Sequence, residues 1–253
     1  MAIPAALKEK YGLSGRTLKI IAVISMLIDH LTAGLLDRGY WAAGHPVTKT
    51  GRYLYYVLRG IGRIAFPIYC FLLIEGYIHT RNKWKYLLRL SLFGLISEIP
   101  FDITFNKKYF YWGYQNVFFT LALGLFAVIL FDLIVEYDFE AATLLRRIAG
   151  LAVVGAIAGI AELMKTDYSW YGVLIIFCFY IFRQMEEVRN LSVIIVLYFL
   201  NVLELVGVLD FVLLHFYNGK RGRQSKYFFY AFYPGHLLLI SFARYLLFGI
   251  FVR

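Results

Sequence analysis

From Leu18 to Leu36 the chain reads Leu-Lys-Ile-Ile-Ala-Val-Ile-Ser-Met-Leu-Ile-Asp-His-Leu-Thr-Ala-Gly-Leu-Leu, an apolar run long enough to cross a lipid bilayer. A bilayer core holds no water, so a segment there must satisfy its own backbone hydrogen bonds and is restricted to a helix or a closed barrel. The pattern recurs. Nine apolar segments can be drawn, at 17–37, 53–80, 86–104, 116–136, 144–163, 168–183, 190–203, 205–217 and 227–250. Apolar residues make up 61% of the 253, against about 45–50% in soluble domains. These features predict an all-α, polytopic integral membrane protein with about nine transmembrane helices in one bundle, some kinked or re-entrant. No linker or internal repeat divides the chain, so 1–253 is expected to form a single transmembrane domain, with 1–16 as a cytoplasmic N-terminal segment. No cleavable leader is evident.

The net charge is +10. On a soluble protein such an excess suggests nucleic acid; between apolar segments it sets orientation, and nucleic acid is not an expected partner. With the N-terminus inside, sixteen basic residues fall on inner segments and seven on outer ones. That balance requires Leu191–Tyr217 to break or turn back, and Asn201, Glu204, Gly207 and Asp210 in its middle favour the break. The surroundings are then membrane lipid, and the protein is expected to be multi-pass with a cytoplasmic N-terminus. Cys70 and Cys178 lie in apolar runs and read as small fillers, with neither a disulfide nor a metal pair expected.

Ionisable groups in lipid cost about 2.5–3.5 kcal/mol each on insertion scales, so those inside the apolar runs mark chemistry or transport. Asp29-His30 is the first such pair. On a helix His30 sits about 16 Å deeper than Lys19, and Asp29 points about 100° away from it, too far round to orient its ring. Arg59 and Arg63 share a helix face, as do Glu75 and His79. Two buried arginines seek an anion or a carboxylate such as Asp29 or Glu75. Pro67 permits a kink after them. In Ser97-Glu98-Ile99-Pro100-Phe101-Asp102, Pro100 is expected to break the turn between two carboxylates that would neutralise Arg59 or Arg63. Tyr233-Pro234-Gly235-His236 predicts a break in the last span beside His236, and Gln115-Asn116 reads as a helix start.

Seven motifs in order carry a resemblance that covers nearly the whole chain. They are Leu18–His30, Gly62-Arg-Ile-Ala-Phe-Pro67, Glu75-Gly-Tyr-Ile-His79-Thr-Arg, Ser97–Asp102, Asn116-Val-Phe-Phe-Thr120, Tyr217-Asn-Gly-Lys-Arg-Gly222 and Phe232-Tyr-Pro-Gly-His236-Leu. Together they resemble the TraX family. That resemblance implies acetylation of a pilin N-terminus in conjugative plasmids, by an acetyl-CoA-dependent acetyltransferase of the bacterial inner membrane. A fainter similarity extends to acyltransferase-3 enzymes and heparan-α-glucosaminide acetyltransferases. The former carry an Arg, ten residues, then a catalytic His on the first span; Lys19 and His30 stand at those places here. Lys keeps the charge and loses the bidentate fork.

The function so implied moves an acetyl group from acetyl-CoA, the cosubstrate, to an amine- or hydroxyl-bearing acceptor, whether pilin, another peptide or a small molecule. His30 would act as general base or as acyl-accepting nucleophile. Arg63, Asn116 or His236 would donate to the oxyanion, with Asp29, Glu75 and His79 completing the catalytic group. Lys19, Arg59, Arg81, Lys83, Lys220, Arg221 and Arg223 would meet the cosubstrate, and no metal is expected. The rival expectation is a proton- or cation-coupled carrier using Asp29, His30, Glu75 and His79 as a relay. A structural scaffold ranks last, because it leaves the buried charges unexplained.

Overall fold

The computed structural model describes residues 11–136, 143–223 and 225–252. The expected cytoplasmic segment 1–16 therefore lies, for residues 1–10, outside the described residues. The helices are α1 (Gly15–Leu31), α2 (Lys49–Gly62), α3 (Ala65–His79), α4 (Lys83–Phe101), α5 (Val117–Val135), α6 (Thr143–Leu163), α7 (Ser169–Ile181), α8 (Glu186–Leu200), α9 (Asp210–His215) and α10 (Lys226–Phe248). Wider π-helical turns continue α1 over Thr32–Tyr40 and α4 over Asp102–Asn106, and a tighter 3₁₀ segment, Val202–Leu209, leads into α9. The described residues hold no β-strand, apart from isolated bridges at Leu13–Tyr217 and Gln115–Thr166.

Local chemistry sets the helix starts. Ser14 Oγ accepts from Thr17 N–H (3.2 Å) ahead of α1, Thr48 Oγ1 from Gly51 N–H (3.0 Å) ahead of α2, and Asn116 Oδ1 from Phe118 N–H (3.0 Å) ahead of α5. Each quenches one of the amide donors that a helix N-terminus leaves open. The helix start expected at Gln115-Asn116 is thus present.

Five helical stretches are long and apolar enough to cross a bilayer: Gly15–Ala43, Lys49–His79, Val117–Val135, Thr143–Leu163 and Tyr227–Phe248. This is the character of a multi-pass membrane protein. The other segments drawn from the sequence fall short of that criterion. Helix α4 carries Lys83, Lys85, Arg89 and Glu98, while α7 and α8 have 13 and 15 residues.

Two local expectations are corrected, and the irregularity expected at Pro67 is present as a two-residue turn, Arg63-Ile64, between α2 and α3. A proline ring collides with the carbonyl four residues back, here that of Arg63, where α2 ends. Pro100 does not end α4; the helix runs to Phe101 and then widens into the π turn. Thr104 Oγ1 donates to the Pro100 carbonyl (2.7 Å) at that change of register. Thr32 Oγ1 does the same to Ile28 (2.7 Å) where α1 widens. The second is the Pro-Gly break before His236, because α10 continues through Pro234. Proline removes one donor there, and the buried Tyr233, His236, Leu237, Ile240 and Ser241 hold the helix on either side of it. The break expected within Leu191–Tyr217 is present: α8 stops at Leu200, and Asn201 Oδ1 caps the 3₁₀ segment through Leu203 N–H (2.9 Å).

The chain sorts into two compact units. The first is Met1–Leu72, Ile99–Phe110 and Asn201–Arg253; the second is Leu73–Glu98 and Tyr111–Leu200. In the first, α10 lies along α1 and its π extension, with Gly34 against Ile240 and Gly39 against Phe248. Backbone bonds clasp the entry of α1 to the segment after α9: Leu13 N–H to Phe216 O (2.8 Å), Gly15 N–H to Lys220 O (2.8 Å) and Arg16 N–H to Arg221 O (2.9 Å). In the second unit, α5, α6 and α7 pack through apolar faces, and Asp132 of α5 accepts from the phenols of Tyr77 and Tyr180 and from Lys83 Nζ (3.3 Å).

Candidate functional site

The first unit gathers most of the ionisable residues singled out in the sequence. Asp29, buried on α1, binds Arg59 Nη1 through one oxygen and Arg63 Nη2 through the other (3.1 Å). Arg63 also binds Glu204 of the 3₁₀ segment (2.8 Å). The helix break builds this cluster. With α2 ended, Arg63 N–H turns to the Gly60 carbonyl (3.0 Å), and its Nε reaches the Arg59 carbonyl (3.3 Å). Ser25 Oγ donates to the carbonyls of Ile61 (2.7 Å) and Gly62 (3.2 Å) at the end of α2, where Ile64 N–H also reaches the Ile61 carbonyl (3.3 Å). Gly62 is needed for the approach, since a Cβ there would overlap the Cβ and carboxylate of Asp29.

His30 faces another way, as its place beside Asp29 on a helix requires. Its Nδ1 lies 2.7 Å from Nε2 of His236 on α10, and the other ring nitrogen of His236, Nδ1, lies 2.7 Å from the Phe232 carbonyl. The two imidazoles are 5° from parallel with centroids 5.0 Å apart. With so short a nitrogen contact, that places them edge to edge in one plane rather than face to face. Phe105 and Tyr233 stand edge-on to His30 at 5.2 and 5.9 Å. Phe105 rides on the second π turn, and the first π turn begins two residues after His30, so both irregular helices border this ring. His30 is half-buried, and its Nε2 has no hydrogen-bond partner among the described residues.

The second π turn is itself fastened to α10. Arg244, fully buried, donates to the carbonyls of Ile103 (2.8 Å), Thr104 (2.5 Å), Ile250 (3.0 Å) and Phe251 (2.9 Å). Thr104 Oγ1 meets Ser241 Oγ (2.8 Å) and the Leu237 carbonyl (3.0 Å). Near the N-terminal end of α1, Lys19 Nζ sits 5.0 Å over the ring of Phe229 of α10, and the clasp brings the exposed Lys220, Arg221 and Arg223 to the same end.

The remaining sequence candidates take other places. Arg59 and Arg63, expected to serve the cosubstrate and the oxyanion, are engaged by Asp29, and Arg63 also by Glu204. Glu98 and Asp102, expected to neutralise these arginines, have other partners in view: Asn116 Nδ2 donates to Glu98, and Asn106 Nδ2 donates to Asp102 (3.0 Å). Asn116 also donates to the Gly94 carbonyl (2.9 Å) and caps α5, so its amide is committed to structure in the second unit. Lys83 there is tied to Asp132 and lies 4.5 Å from the Tyr77 ring, while Arg81 is exposed. Glu75 and His79 also belong to the second unit, where His79 Nδ1 bonds the backbone carbonyl of Glu75 (2.8 Å). The four residues of the carrier expectation therefore divide between the units. Cys70 and Cys178 are free thiols.

Three residues escaped the sequence reading as site members. Glu204 and Asp210 were visible as markers of a break, although the lipid-cost argument that singles out Asp29 applies equally to them. A 3₁₀ helix repeats every three residues, so Glu204, Gly207 and Asp210 share one buried face. Asp210 is fully buried, with neither carboxylate oxygen hydrogen-bonded among the described residues. Arg244 was the third, an ionisable residue inside the last apolar run that the same argument would have flagged.

No solved structure matches the chain. A probable fimbrial assembly protein of Dichelobacter nodosus, FimC of serogroup H1, is 30% identical over 253 aligned positions, covering 90% of this chain and 94% of that protein. The family model described as TraX protein matches residues 14–244, a stretch that holds the paired histidines and the Asp29 cluster, and the chain belongs to the TraX family.

Proposed function

We propose that the protein is a membrane-embedded acetyltransferase that moves an acetyl group from acetyl-CoA to an amine or hydroxyl of an acceptor. The observation that carries this reading is the His30–His236 pair: a half-buried imidazole, held in plane by a second one, with one ring nitrogen left without a partner among the described residues. A base or nucleophile for acyl transfer needs such a lone pair, and imidazole supplies it near neutral pH. The end of α1 that bears Lys19, Lys220, Arg221 and Arg223 would face the cytosol, as the excess of basic residues on that side favours. These cations would receive the phosphates of acetyl-CoA, whose thioester would extend along α1 toward His30.

Family membership supports an acceptor on pilin. TraX proteins are associated with pilin acetylation, and the Dichelobacter relative is named for fimbrial assembly. The bacterial inner membrane is the compartment in which such an acceptor and cytosolic acetyl-CoA meet. Arg59 and Arg63 are assigned to holding Asp29 and the α2–α3 break, and Asn116 to capping α5, rather than to the transferring acetyl group.

The test is acetyl transfer by purified protein in liposomes, with radiolabelled acetyl-CoA and a short peptide bearing a free amino terminus. The wild type is expected to label the peptide, and His30→Ala to reduce labelling by about 10²–10⁴-fold. Wild-type turnover in that variant would remove His30 from the mechanism. Thermal stabilisation of the wild type by acetyl-CoA is the matching binding result.

A further inference from the structure

We propose that the backbone carbonyl of Phe232, acting through His236, fixes the tautomer of His30 and makes Nε2 its reactive nitrogen. His236 is then a positioning residue and proton partner, not a donor to the oxyanion.

Hydrogen-bond parity places each proton along this chain of three groups. A carbonyl oxygen accepts and never donates, so the Phe232 carbonyl, 2.7 Å from Nδ1 of His236, requires a proton on that nitrogen. A neutral imidazole carries one N–H, which leaves Nε2 of His236 as a bare acceptor. That acceptor lies 2.7 Å from Nδ1 of His30, so Nδ1 of His30 must carry the shared proton. Neutral His30 therefore keeps its lone pair on Nε2, the nitrogen that has no protein partner among the described residues. The reverse assignment would set a bare Nδ1 of His236 against a carbonyl lone pair. A ring flip of His30 would set Cδ2 in place of Nδ1 against Nε2 of His236 and lose the bond, and the edge-on rings of Phe105 and Tyr233 oppose it.

The same chain of bonds handles the proton of the transfer. As the acceptor nitrogen or oxygen forms its bond to the thioester carbon, its proton passes to Nε2 of His30. The resulting imidazolium shares its Nδ1 proton with Nε2 of His236, so the positive charge spreads over two coplanar rings, with the Phe232 carbonyl dipole at the far end. When the carbon–sulfur bond breaks, the Nδ1 proton returns and the Nε2 proton of His30 goes to the departing thiolate. One proton leaves the acceptor and one reaches CoA, with no net change on the pair.

The kinetic arm of the test rests on the acetyl-transfer reading; the tautomer arm does not. Protein labelled with ¹⁵N-histidine, in lipid nanodiscs near neutral pH, is examined by solid-state NMR, with His30→Ala and His236→Leu used to assign the signals. Protonated Nδ1 and bare Nε2 are expected at both residues. In His236→Leu the acceptor is gone, His30 should revert to the tautomer mixture of a free imidazole, and kcat should fall about 10²-fold with KM for acetyl-CoA unchanged. His236→Gln places an oxygen acceptor near the lost Nε2 and should keep the His30 signature and stay within about tenfold of wild-type kcat. A wild-type His30 protonated on Nε2, or His236→Leu with full kcat, would overturn the inference. If wild-type protein transfers no acetyl group at all, the acetyltransferase reading falls and the labelled rings alone decide the tautomer.

Discussion

Both units bury an aspartate among hydrogen-bond donors, and the two sites close differently. In the second unit Asp132 meets two phenols and a lysine, and the surrounding helices α5 to α7 are regular and apolar. In the first unit Asp29 holds two arginines, one of them shared with Glu204, beside a helix break, two π turns and a 3₁₀ segment. Asp132 ties helix ends together, with both of its oxygens engaged by side-chain donors of its own unit. The Asp29 cluster instead fixes the backbone next to a histidine whose Nε2 has no hydrogen-bond partner among the described residues. Irregular backbone in a membrane protein is tolerated where protein or a cavity covers it, and it concentrates here in the unit that carries the candidate chemistry.

Removing each carboxylate in turn tests whether the two sites differ in function as they do in structure. Asp29→Ala leaves two half-buried guanidinium groups without their shared partner and is expected to cost about 3–5 kcal/mol. Asp132→Ala strands the phenols of Tyr77 and Tyr180 and should cost about 2–3 kcal/mol. Denaturant unfolding in detergent micelles measures both losses. Acetyl transfer at a temperature where both variants stay folded separates them: turnover is expected to fall in Asp29→Ala and to hold in Asp132→Ala. Equal turnover in the two would dissolve the functional contrast between the units.

A smaller effect sharpens the role of the break. Gly62→Ala inserts a methyl group into the space held by Asp29 and should destabilise by about 1–3 kcal/mol while lowering turnover, because α1 and α2 must separate. A variant as stable and as active as wild type would show that the close approach is not required. The smallest change is expected at Asp210, whose carboxylate has no hydrogen-bond partner among the described residues. Asp210→Asn replaces a buried carboxyl that makes no hydrogen bond among the described residues with an amide of the same size, so stability should shift by less than about 0.5 kcal/mol. A loss above about 2 kcal/mol in thermal or denaturant unfolding would reveal a partner for this group.

Much of the helical content was legible because helix-length apolar runs have few alternatives in a bilayer. The irregular turns were harder. A proline announces that something changes, but the outcome depends on neighbours: Pro67 ends a helix at Arg63, Pro100 precedes a π turn, and Pro234 sits inside a continuous helix. The candidate site divides in the same way. The cost of charge in lipid picks out Asp29, His30, Arg59, Arg63 and His236 from sequence and would pick out Glu204, Asp210 and Arg244 by the same rule. Glu75 and His79 satisfy that rule too, and they belong to the other unit.

The sequence by itself determined an all-helical chain of the TraX family with apolar runs of membrane-spanning length, and it determined that Asp29 and His30 point different ways, because hydropathy and helical periodicity are properties of the chain alone. The tertiary structure decided which groups pair: Arg63 with Asp29 and Glu204, His30 with His236. Those residues lie 34, 141 and 206 positions apart. Hydrogen bonds form over a few ångströms whatever the separation along the chain, so only the packing of α1, α2, the 3₁₀ segment and α10 could choose the partners.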